Sequence, residues 1–436
     1  MGSRRHPREV LTGVDSAGEN SMVARASDRV DRARLWGRLM ELAERGATPA
    51  GGVCRLALSE EEIQARALLR RWAGEVGLAP AVDEAGNLFL RLPGRDPALA
   101  PVLTGSHIDT QPTGGKFDGA YGVVAAVEAL QAIVTSGHRP RRSIDAVAWM
   151  NEEGSRFAPG MMGSAVFTAV RAMRDIEPVA DRAGVTVRQA LDRMLDRERD
   201  LERRPLGFPV HAFMEAHIEQ GPLLEAEAIP IGVVTGIQGK RTYRVTVDGE
   251  ASHAGTTPRR SRRDALVSAV AIVGALQRAL WDEADEVRFT IGMFTVTPNA
   301  PSVVPAKVVF SVDLRHDSAE VVEALGARLK QVCTEERGRC DVRVEDLLYD
   351  APLAFPQAMR EQVARAAADL GLRYRDIASP AGHDSRYLHY YCPTGMLFIP
   401  CRAGISHNEA ESITVDDAWN GARVLADVLV RLADAA

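Results

Sequence analysis

The sequence has few features that would set it apart from ordinary globular proteins. Its five cysteines are scattered, odd in number and without C-x-x-C spacing, which argues against a disulfide framework and a thiolate zinc site and favours a reducing cytoplasm. It has no run of 18 apolar residues and no apolar segment near its start, so we predict neither a membrane span nor a signal peptide. A net charge of −6 indicates neither a nucleic-acid nor a membrane partner. We therefore expect a soluble cytoplasmic protein.

The order of apolar segments predicts an α/β protein. The length of 436 residues is enough for two domains. Apolar runs predict strands at 88–93, 101–107 and 143–150, and an Ala/Val-rich helix at 119–136 connects the last two. A strand–helix–strand crossover is typical of a largely parallel sheet covered by helices.

The pattern changes after Gly239, which indicates a second domain. Over residues 239–348 the predicted elements follow the order β-α-β-β-α-β, that of the ferredoxin-like split motif. The α/β domain is then formed by two pieces, 30–238 and 349–436, with the smaller α+β domain inserted between them. Residues 1–29 are polar and contain scattered glycine and serine, so we expect a disordered leader there.

The most informative segment, GSHIDTQPTGGKFDGAYG, lies between Gly105 and Gly122. It brings His107 and Asp118 together after a buried strand, beside a glycine-rich turn. A second acidic pair, Glu152–Glu153, follows the strand predicted at 143–150. Two strand ends that present histidine and carboxylates toward one cleft are typical of a dinuclear metal hydrolase.

Five side chains in turns after apolar runs form a candidate ligand set. Imidazoles and carboxylates without thiolates suit zinc, manganese, cobalt or nickel. Five ligands suggest two divalent ions that share Asp118, because flanking glycines let its turn approach closely. Each residue alone is more often a satisfied structural group, and only the combination favours a metal site. The candidate ligands are His107, Asp118, Glu153, His217 and His407, whereas His6, His138, His211, His316 and His389 have no such context.

Two more carboxylates have expected roles beside these ligands. Glu152 neighbours Glu153 and would face the site as a general base and later proton donor, the alternative being a capping or salt-bridging glutamate. Asp109 lies two residues after His107 and could orient its ring through the distal nitrogen, the alternative being an ordinary turn aspartate.

With these residues assembled, residues 30–434 resemble the amidase/hydantoinase/carbamoylase family of dinuclear metallopeptidase-fold hydrolases. The resemblance implies a three-layer αβα catalytic domain with an inserted lid that forms a homodimer. It also implies two divalent ions held by the five ligands, with Asp118 as the bridge. The motifs that occur in the family's order and spacing are GSHIDTQPTGGKFDG, NEEGSRF, HIEQGPLLE, SHAGTTPRRSRRDA, AGHDSRYL and GISHNEAE.

The resemblance also implies roles in catalysis and substrate binding. Glu152 matches the catalytic base and Asp109 the residue behind the first histidine. His253 matches the lid histidine that polarises the scissile carbonyl, often across the dimer. Arg315 matches the arginine that holds the substrate carboxylate, a role that suits the guanidinium fork.

Further positions match substrate contacts less specifically. Gln220 matches a substrate-contacting amide, Gly382 and His383 a loop that touches substrate, and Arg241 a weaker candidate for anion contact. Gln220 and Arg241 could instead form hydrogen bonds between lid and body.

One position departs from the family. An asparagine usually precedes the carboxylate-binding arginine by thirteen residues, and this chain has Ser302 there. A hydroxyl is shorter than an amide and cannot donate and accept at two separate atoms. Asn299 could take over this contact.

The resemblance implies hydrolysis of the C–N bond of an N-carbamoyl amino acid to the amino acid, ammonia and carbon dioxide. Alternatives on the same scaffold are an allantoate or ureidoglycolate amidohydrolase and an aminoacylase or dipeptidase. A third possibility is a catalytically inactive binding or scaffolding protein, but such a relative would be expected to lose a ligand or the base, and all six residues are present.

Overall fold

A computed structural model describes residues 25–436. Its helices are α1 (Arg32–Ala43), α2 (Glu60–Val76), α3 (Ala120–Thr135), α4 (Met162–Phe167), α5 (Met173–Ile176), α6 (Val187–Arg197), α7 (Leu223–Ala226), α8 (Ala265–Ala279), α9 (Ala319–Glu335), α10 (Gln357–Asp369), α11 (Ser385–Leu388) and α12 (Val415–Asp434). Its strands are β1 (Ala79–Val82), β2 (Leu88–Leu92), β3 (Val102–His107), β4 (Ile144–Trp149), β5 (Glu202–Arg203), β6 (Ala212–Ile218), β7 (Ile231–Ile237), β8 (Gly239–Asp248), β9 (Ser252–His253), β10 (Arg288–Thr290), β11 (Phe294–Thr297), β12 (Val303–Val304), β13 (Lys307–His316), β14 (Asp341–Asp350), β15 (Leu353–Ala354), β16 (Tyr374–Ser379) and β17 (Thr394–Ile399). Within residues 25–436, no helix combines the length and apolar character needed to cross a lipid bilayer.

The larger sheet is mixed, whereas the sequence predicted a largely parallel one. Its strand order is β15–β7–β17–β6–β3–β4–β2–β1–β5, and β16 also pairs with β7. The four central strands β17, β6, β3 and β4 are parallel to one another. The pairs β4–β2, β2–β1 and β17–β7 are antiparallel. The parallel centre is the part that the strand–helix–strand pattern predicted.

Every residue of the central strands β3, β4, β6 and β17 is buried, as expected for parallel strands covered on both faces. On β4, Ile144 and Ala146 face a core that includes residues of α1, α3, α10 and α12. Val147 and Trp149, on the opposite face, pack in a cluster with Phe167. Side chains alternate between the two faces of a strand, so one apolar run serves both cores. The result is an α/β arrangement with helices on each side of the sheet.

The smaller sheet has its own hydrophobic core. Its strand order is β10–β13–β8–β14, with β11 also on β13, and α8 and α9 cover one face. Tyr243, Val245 and Val247 of β8 pack into a separate cluster with these two helices. The element order β8-α8-β10-β13-α9-β14 is the predicted β-α-β-β-α-β. The strand expected between α8 and β13 is divided into β10 and β11, whose registers on β13 differ by one residue.

The last residues of the predicted leader are folded. Residues 1–24, where a disordered leader stays a prediction, lie outside the described residues. Ala26–Arg29 form a 3-10 helix with Ala26 and Ser27 buried, although the sequence placed them in the leader. The backbone N–H of Ser27 donates to Asp427 in α12 at 3.1 Å, a contact between residues 400 positions apart. Local composition does not reveal such a long-range contact.

Candidate metal centre

The candidate ligands lie at the carboxyl ends of the four central parallel strands. His107 ends β3, His217 is the penultimate residue of β6, Glu153 follows β4 and His407 follows β17. Parallel neighbours end at the same edge of a sheet, the usual place for a binding crevice in an open α/β sheet. Asp118 enters from the loop before α3. The predicted ligands therefore converge because of the topology.

The first ligand group consists of His107, His217 and Asp118. The Oδ1 atom of Asp118 lies 3.2 Å from Nε2 of His217 and 3.8 Å from Nε2 of His107. The Nδ1 atoms of His107 and His217 each lie 2.9 Å from a backbone carbonyl oxygen, those of Asp109 and Ile218. A carbonyl can only accept, so these bonds place the proton on Nδ1 and turn the Nε2 lone pairs toward the centre.

The second ligand group consists of Asp118, Glu153 and His407. The Nε2 atom of His407 lies 3.2 Å from Oδ2 of Asp118 and 3.5 Å from Oε2 of Glu153. The side chain of His407 is 51% exposed, in contrast to the buried first group. The two oxygens of Asp118 thus face different groups, the arrangement expected of a carboxylate shared by two cations.

Two glycines allow the Asp118 loop to approach the other ligands. Gly119 has φ 62°, and a Cβ atom there would lie 2.3 Å from the His107 ring. A Cβ on Gly115 would lie 2.1 Å from the carboxyl group of Glu411. The requirement for glycine beside Asp118 is therefore steric as well as conformational.

The electrostatics of the centre fit a divalent cation. Burial alone would raise the pKa of Asp118. Hydrogen bonds from His217 and His407, with the charges of His217 and His107, outweigh burial and hold that pKa well below its ordinary value. Burial, with the charge of Asp118, raises the pKa of Glu153 to about 7. A hydrogen bond to Asp118 raises the pKa of His407 to about 9. Buried carboxylates beside imidazoles, without a thiolate, form a donor set suited to zinc or manganese.

Glu152 lies at the centre without belonging to either ligand group. Its Oε2 atom is 3.6 Å from Nε2 of His107. Burial raises the pKa of Glu152 well above its ordinary value, opposed by His107 and reinforced by the nearby carboxylates of Asp384 and Glu153. A carboxyl group with a raised affinity for protons beside a metal site suits a general acid–base role.

Asp109 contacts the His107 ring through its backbone oxygen, whereas the sequence suggested a contact through its carboxylate. The distal nitrogen of His107 is bound by the backbone oxygen of Asp109, while the carboxylate lies 3.6 Å away. The Asp109 carboxylate instead accepts the backbone N–H groups of Glu152 and Glu153 at 3.1 and 3.2 Å. Asp109 therefore links the turn after β3 to the acidic pair after β4.

A third group, Glu215, His217 and His383, has suitable donor atoms but is already satisfied by hydrogen bonds. Both oxygens of Glu215 accept bonds, from the Ser106 hydroxyl and from the backbone and hydroxyl of Ser385. His383 shares a 2.9 Å hydrogen bond with Ser379 and packs edge-on against the His217 ring, with 4.6 Å between ring centroids. His383 is buried and Gly382 exposed, so only Gly382 of the predicted substrate loop is accessible.

Gln220 contacts the candidate bridge. Its Nε2 atom donates to Oδ2 of Asp118 at 2.9 Å and to the hydroxyl of Ser406 at 3.1 Å. Its Oε1 atom is buried and has no hydrogen-bond partner among the described residues. The amide therefore holds Asp118 with one end and leaves an acceptor for another group.

Arg315 lies on the face of β13 that points away from α8 and α9. Its Nε and Nη2 atoms donate to Asp313 at 2.9 and 3.4 Å, and Nη1 donates to the Pro380 carbonyl at 2.7 Å. Lys240 also approaches Asp313, at 3.3 Å. The arginine thus contacts the loop that leads to Gly382, with its fork turned to a carboxylate of its own strand.

His253, Ser302 and Asn299 form an exposed tip beside the smaller sheet. His253 pairs with Val303, and the backbone N–H of Ala254 donates to the Ser302 carbonyl at 3.0 Å. The Nδ1 atom of His253 accepts from two backbone N–H groups, of Gly255 at 3.0 Å and Thr256 at 3.1 Å. This neutral tautomer carries its proton on Nε2 and can donate there.

Arg241, predicted as a weaker candidate for anion contact, lies on the helix-covered side of the smaller sheet. Arg241 shares the strand face of Tyr243, which packs on α8 and α9, and Arg315 lies on the opposite face. Its guanidinium pairs with Glu323 at 2.8 Å and Asp346 at 3.1 Å. Arg241 therefore stabilises the helix side of the smaller sheet.

Among the histidines set aside as structural or surface, His6 lies outside the described residues. His138 pairs with Asp434 at 2.8 Å, and Nδ1 of His316 accepts the Ser318 N–H at 2.9 Å. Neither these two nor His211 and His389 belong to a group of potential ligands among residues 25–436.

Sequence reasoning missed two residues of the site, Glu411 and Ser406. Both hydrogen-bond to the loop or side chain of Asp118. They flank His407 within the motif GISHNEAE, and that proximity was the only available signal.

Comparison with known proteins gives one consistent result. The sequence profile described as "Peptidase family M20/M25/M40" matches residues 103–431. An N-carbamoyl-L-amino-acid amidohydrolase of Rhizobium meliloti is 37% identical over 93% of this chain and 97% of its own length. An allantoate amidohydrolase of Bacillus subtilis is 34% identical over 90% of this chain and 95% of its own. An amidase of the hydantoinase/carbamoylase family from Burkholderia multivorans superimposes with a TM-score of 0.86 at 43% identity, covering 93% of this chain and 99% of that one. The chain therefore belongs to the peptidase family M20/M25/M40 and, within it, to the amidase/hydantoinase/carbamoylase family.

Proposed function

We propose that the protein is a metal-dependent amidohydrolase that cleaves the C–N bond of N-carbamoyl amino acids to the amino acid, ammonia and carbon dioxide. The observation that carries the proposal is Asp118, whose two oxygens face separate groups of imidazole and carboxylate ligands. Relatives named N-carbamoyl-L-amino-acid amidohydrolase, at 36–37% identity over 87–93% of this chain, support the substrate class.

Two divalent cations, zinc, manganese, cobalt or nickel, would be held by the two groups. His107 and His217 would hold one, Glu153 and His407 the other, and Asp118 would contact both. When bound, such a pair lowers the pKa of water and stabilises negative charge on the carbonyl oxygen.

Glu152 moves the proton. Its carboxylate accepts a proton from the water that attacks the ureido carbonyl carbon, and then returns it to the leaving nitrogen. This breaks one C–N bond and leaves a carbamic acid, which loses carbon dioxide and so frees the second nitrogen. Burial raises the pKa of Glu152, and this gives the carboxylate a stronger affinity for the proton that it takes up. Asp109 keeps the backbone of Glu152 fixed during the exchange.

Arg315 recognises the substrate carboxylate. Its fork binds the Asp313 carboxylate in the described structure, so the geometry for a bidentate carboxylate contact is already formed. Lys240 lies within 3.3 Å of the same aspartate and can retain it when Arg315 turns to substrate.

The unit 239–348 acts as a lid over the body formed by 30–238 and 349–436. The chain passes between the two units twice. At these two connections the Arg386 guanidinium donates to the backbone carbonyls of Gln238 and Ala351, both at 2.8 Å. Closure of the lid excludes water and brings its residues to the substrate.

Two copies form a homodimer through the lids. On α8, Val267 and Val270 are 65% and 59% exposed, although both are apolar residues of one helix. His253 is also exposed, and its Nε2–H donates to the scissile carbonyl oxygen at the site of the partner subunit.

The proposal is tested by ammonia release from metal-stripped protein reloaded with zinc, manganese, cobalt or nickel. N-carbamoyl-L-amino acids with side chains of varied size should be hydrolysed, and allantoate should be a poorer substrate. Metal-stripped protein without added metal should be inactive. A preference for allantoate would instead indicate an allantoate amidohydrolase. Two relatives of that name, at 34% and 36% identity, favour this alternative.

A further inference from the structure

Glu411 connects the two loops that carry Asp118 and His407. Its Oε1 atom accepts the backbone N–H groups of Phe117 at 2.9 Å and Asp118 at 3.0 Å. Its Oε2 atom accepts a hydrogen bond from the hydroxyl of Ser406 at 3.1 Å. Ser406 directly precedes His407 in the chain. One carboxylate therefore joins segments almost 300 residues apart in the chain.

The space for Glu411 is part of the fold. The residue is 4% exposed, and Gly115 packs so closely that a Cβ atom there would collide with the carboxyl group at 2.1 Å. An isolated buried carboxylate is costly, and the two backbone N–H donors offset that cost. The sequence thus maintains a carboxyl group beside Asp118 at a position where an apolar residue would be cheaper to bury.

The Ser406 hydroxyl extends the connection to Asp118 itself. Its one proton can be donated to Oδ2 of Asp118 at 3.2 Å or to Oε2 of Glu411 at 3.1 Å, and its oxygen accepts a hydrogen bond from Gln220 at 3.1 Å. The carboxylate oxygen that faces Glu153 and His407 is therefore held by this network, whereas the oxygen that faces His107 and His217 is not.

We propose that Glu411 is a positioning residue for the second ligand group. Glu411 holds Asp118 and the His407 loop at the distance that one cation requires. The inference rests on the metal centre of the proposed function. His107 and His217 have their Nδ1 atoms fixed by backbone carbonyls and need no such help. His407 is half exposed and lies on a loop, so its position depends on what ties the loop down.

The test is a stepwise titration of metal-stripped protein with Co²⁺, followed by visible absorption, on wild type and Glu411→Ala. Wild type should bind two equivalents. Glu411→Ala should bind the first nearly as well and the second about 10- to 100-fold more weakly, the usual effect of losing a partner behind a metal ligand. Glu411→Gln keeps an oxygen for the two N–H groups and should recover most of the affinity.

Asp427→Ala is the matched control for the loss of a buried carboxylate. Asp427 is 8% exposed and also accepts a backbone N–H, at 3.1 Å, but it lies in α12 outside the ligand groups. This variant should lower the thermal midpoint of the metal-free protein and leave both Co²⁺ affinities unchanged. A merely structural role for Glu411 would give the same pattern as Asp427→Ala.

Wild-type affinity for both equivalents in Glu411→Ala would overturn the inference. If Glu411→Ala does not fold, Ser406→Ala decides: it leaves Glu411 on the Asp118 loop and should weaken only the second equivalent, and unchanged binding would also overturn the inference. Failure of the wild type itself to bind Co²⁺ would instead refute the proposed metal centre.

Discussion

The larger and smaller sheets contribute to the site in different ways. The candidate ligands come from the ends of four adjacent parallel strands, and His107, His217 and Asp118 are buried and held by hydrogen bonds. The candidate substrate contacts of the smaller sheet are more accessible. His253 is exposed, and Arg315 is 29% exposed with its fork turned to Asp313. The buried ligands are thus held in place within the chain, whereas the candidate recognition groups would have to change partners, or meet a second subunit, to reach a substrate.

The largest effect is expected for Glu152→Gln, which tests the acid–base role of Glu152 because it removes the proton carrier and keeps the shape of the side chain. We expect kcat to fall by about 10²- to 10⁴-fold, the usual contribution of a general acid–base group. The metal content, measured by elemental analysis, should remain that of the wild type. Glu153→Gln is the matched control and should lose metal. Loss of metal from Glu152→Gln would show that Glu152 is a ligand.

The second prediction concerns the lid histidine. His253→Ala should lower kcat by about 10²- to 10³-fold, because it removes a donor to the developing oxyanion. Mixing His253→Ala with Glu152→Gln subunits should restore up to about a quarter of wild-type ammonia release. About half of the dimers then contain one subunit of each kind, and each of these mixed dimers has one complete site out of two. If no activity returns on mixing, His253 acts within its own subunit or the lids do not pair.

A smaller effect is expected for Arg315→Lys. A point charge cannot reproduce the fork, so KM for N-carbamoyl amino acids should rise about 10- to 100-fold, the range of a hydrogen bond to a charged group. A ureido substrate in which an amide replaces the carboxylate is the control, and its KM should change little. Equal increases for both substrates would mean that Arg315 maintains the lid position through Pro380 instead.

Residues that follow strand ends were predictable from the sequence. Apolar runs locate the parallel strands, and the polar residues after them must meet at one edge of the sheet, which brings His107, Glu153 and His217 together. The β-α-β-β-α-β order of the smaller sheet was equally visible, because each strand and helix has its own periodicity.

Contacts that depend on long-range packing were not predictable. No local pattern indicates that Glu411 binds the backbone of Asp118, or that Ala26–Arg29 pack on α12. The face of the smaller sheet on which Arg241 lies was predictable. In β8, Arg241, Tyr243 and Val245 are spaced two residues apart, so their side chains lie on the same face of the strand. Tyr243 and Val245 belong to the core under α8 and α9, which places Arg241 on that side.

The most direct test of the account is a crystal structure of the zinc-loaded protein with anomalous diffraction at the zinc edge. The account predicts two ions per chain, one between His107 and His217 and one between Glu153 and His407, with a different oxygen of Asp118 on each. A single ion, or an ion held by Glu215, His217 and His383, would contradict it.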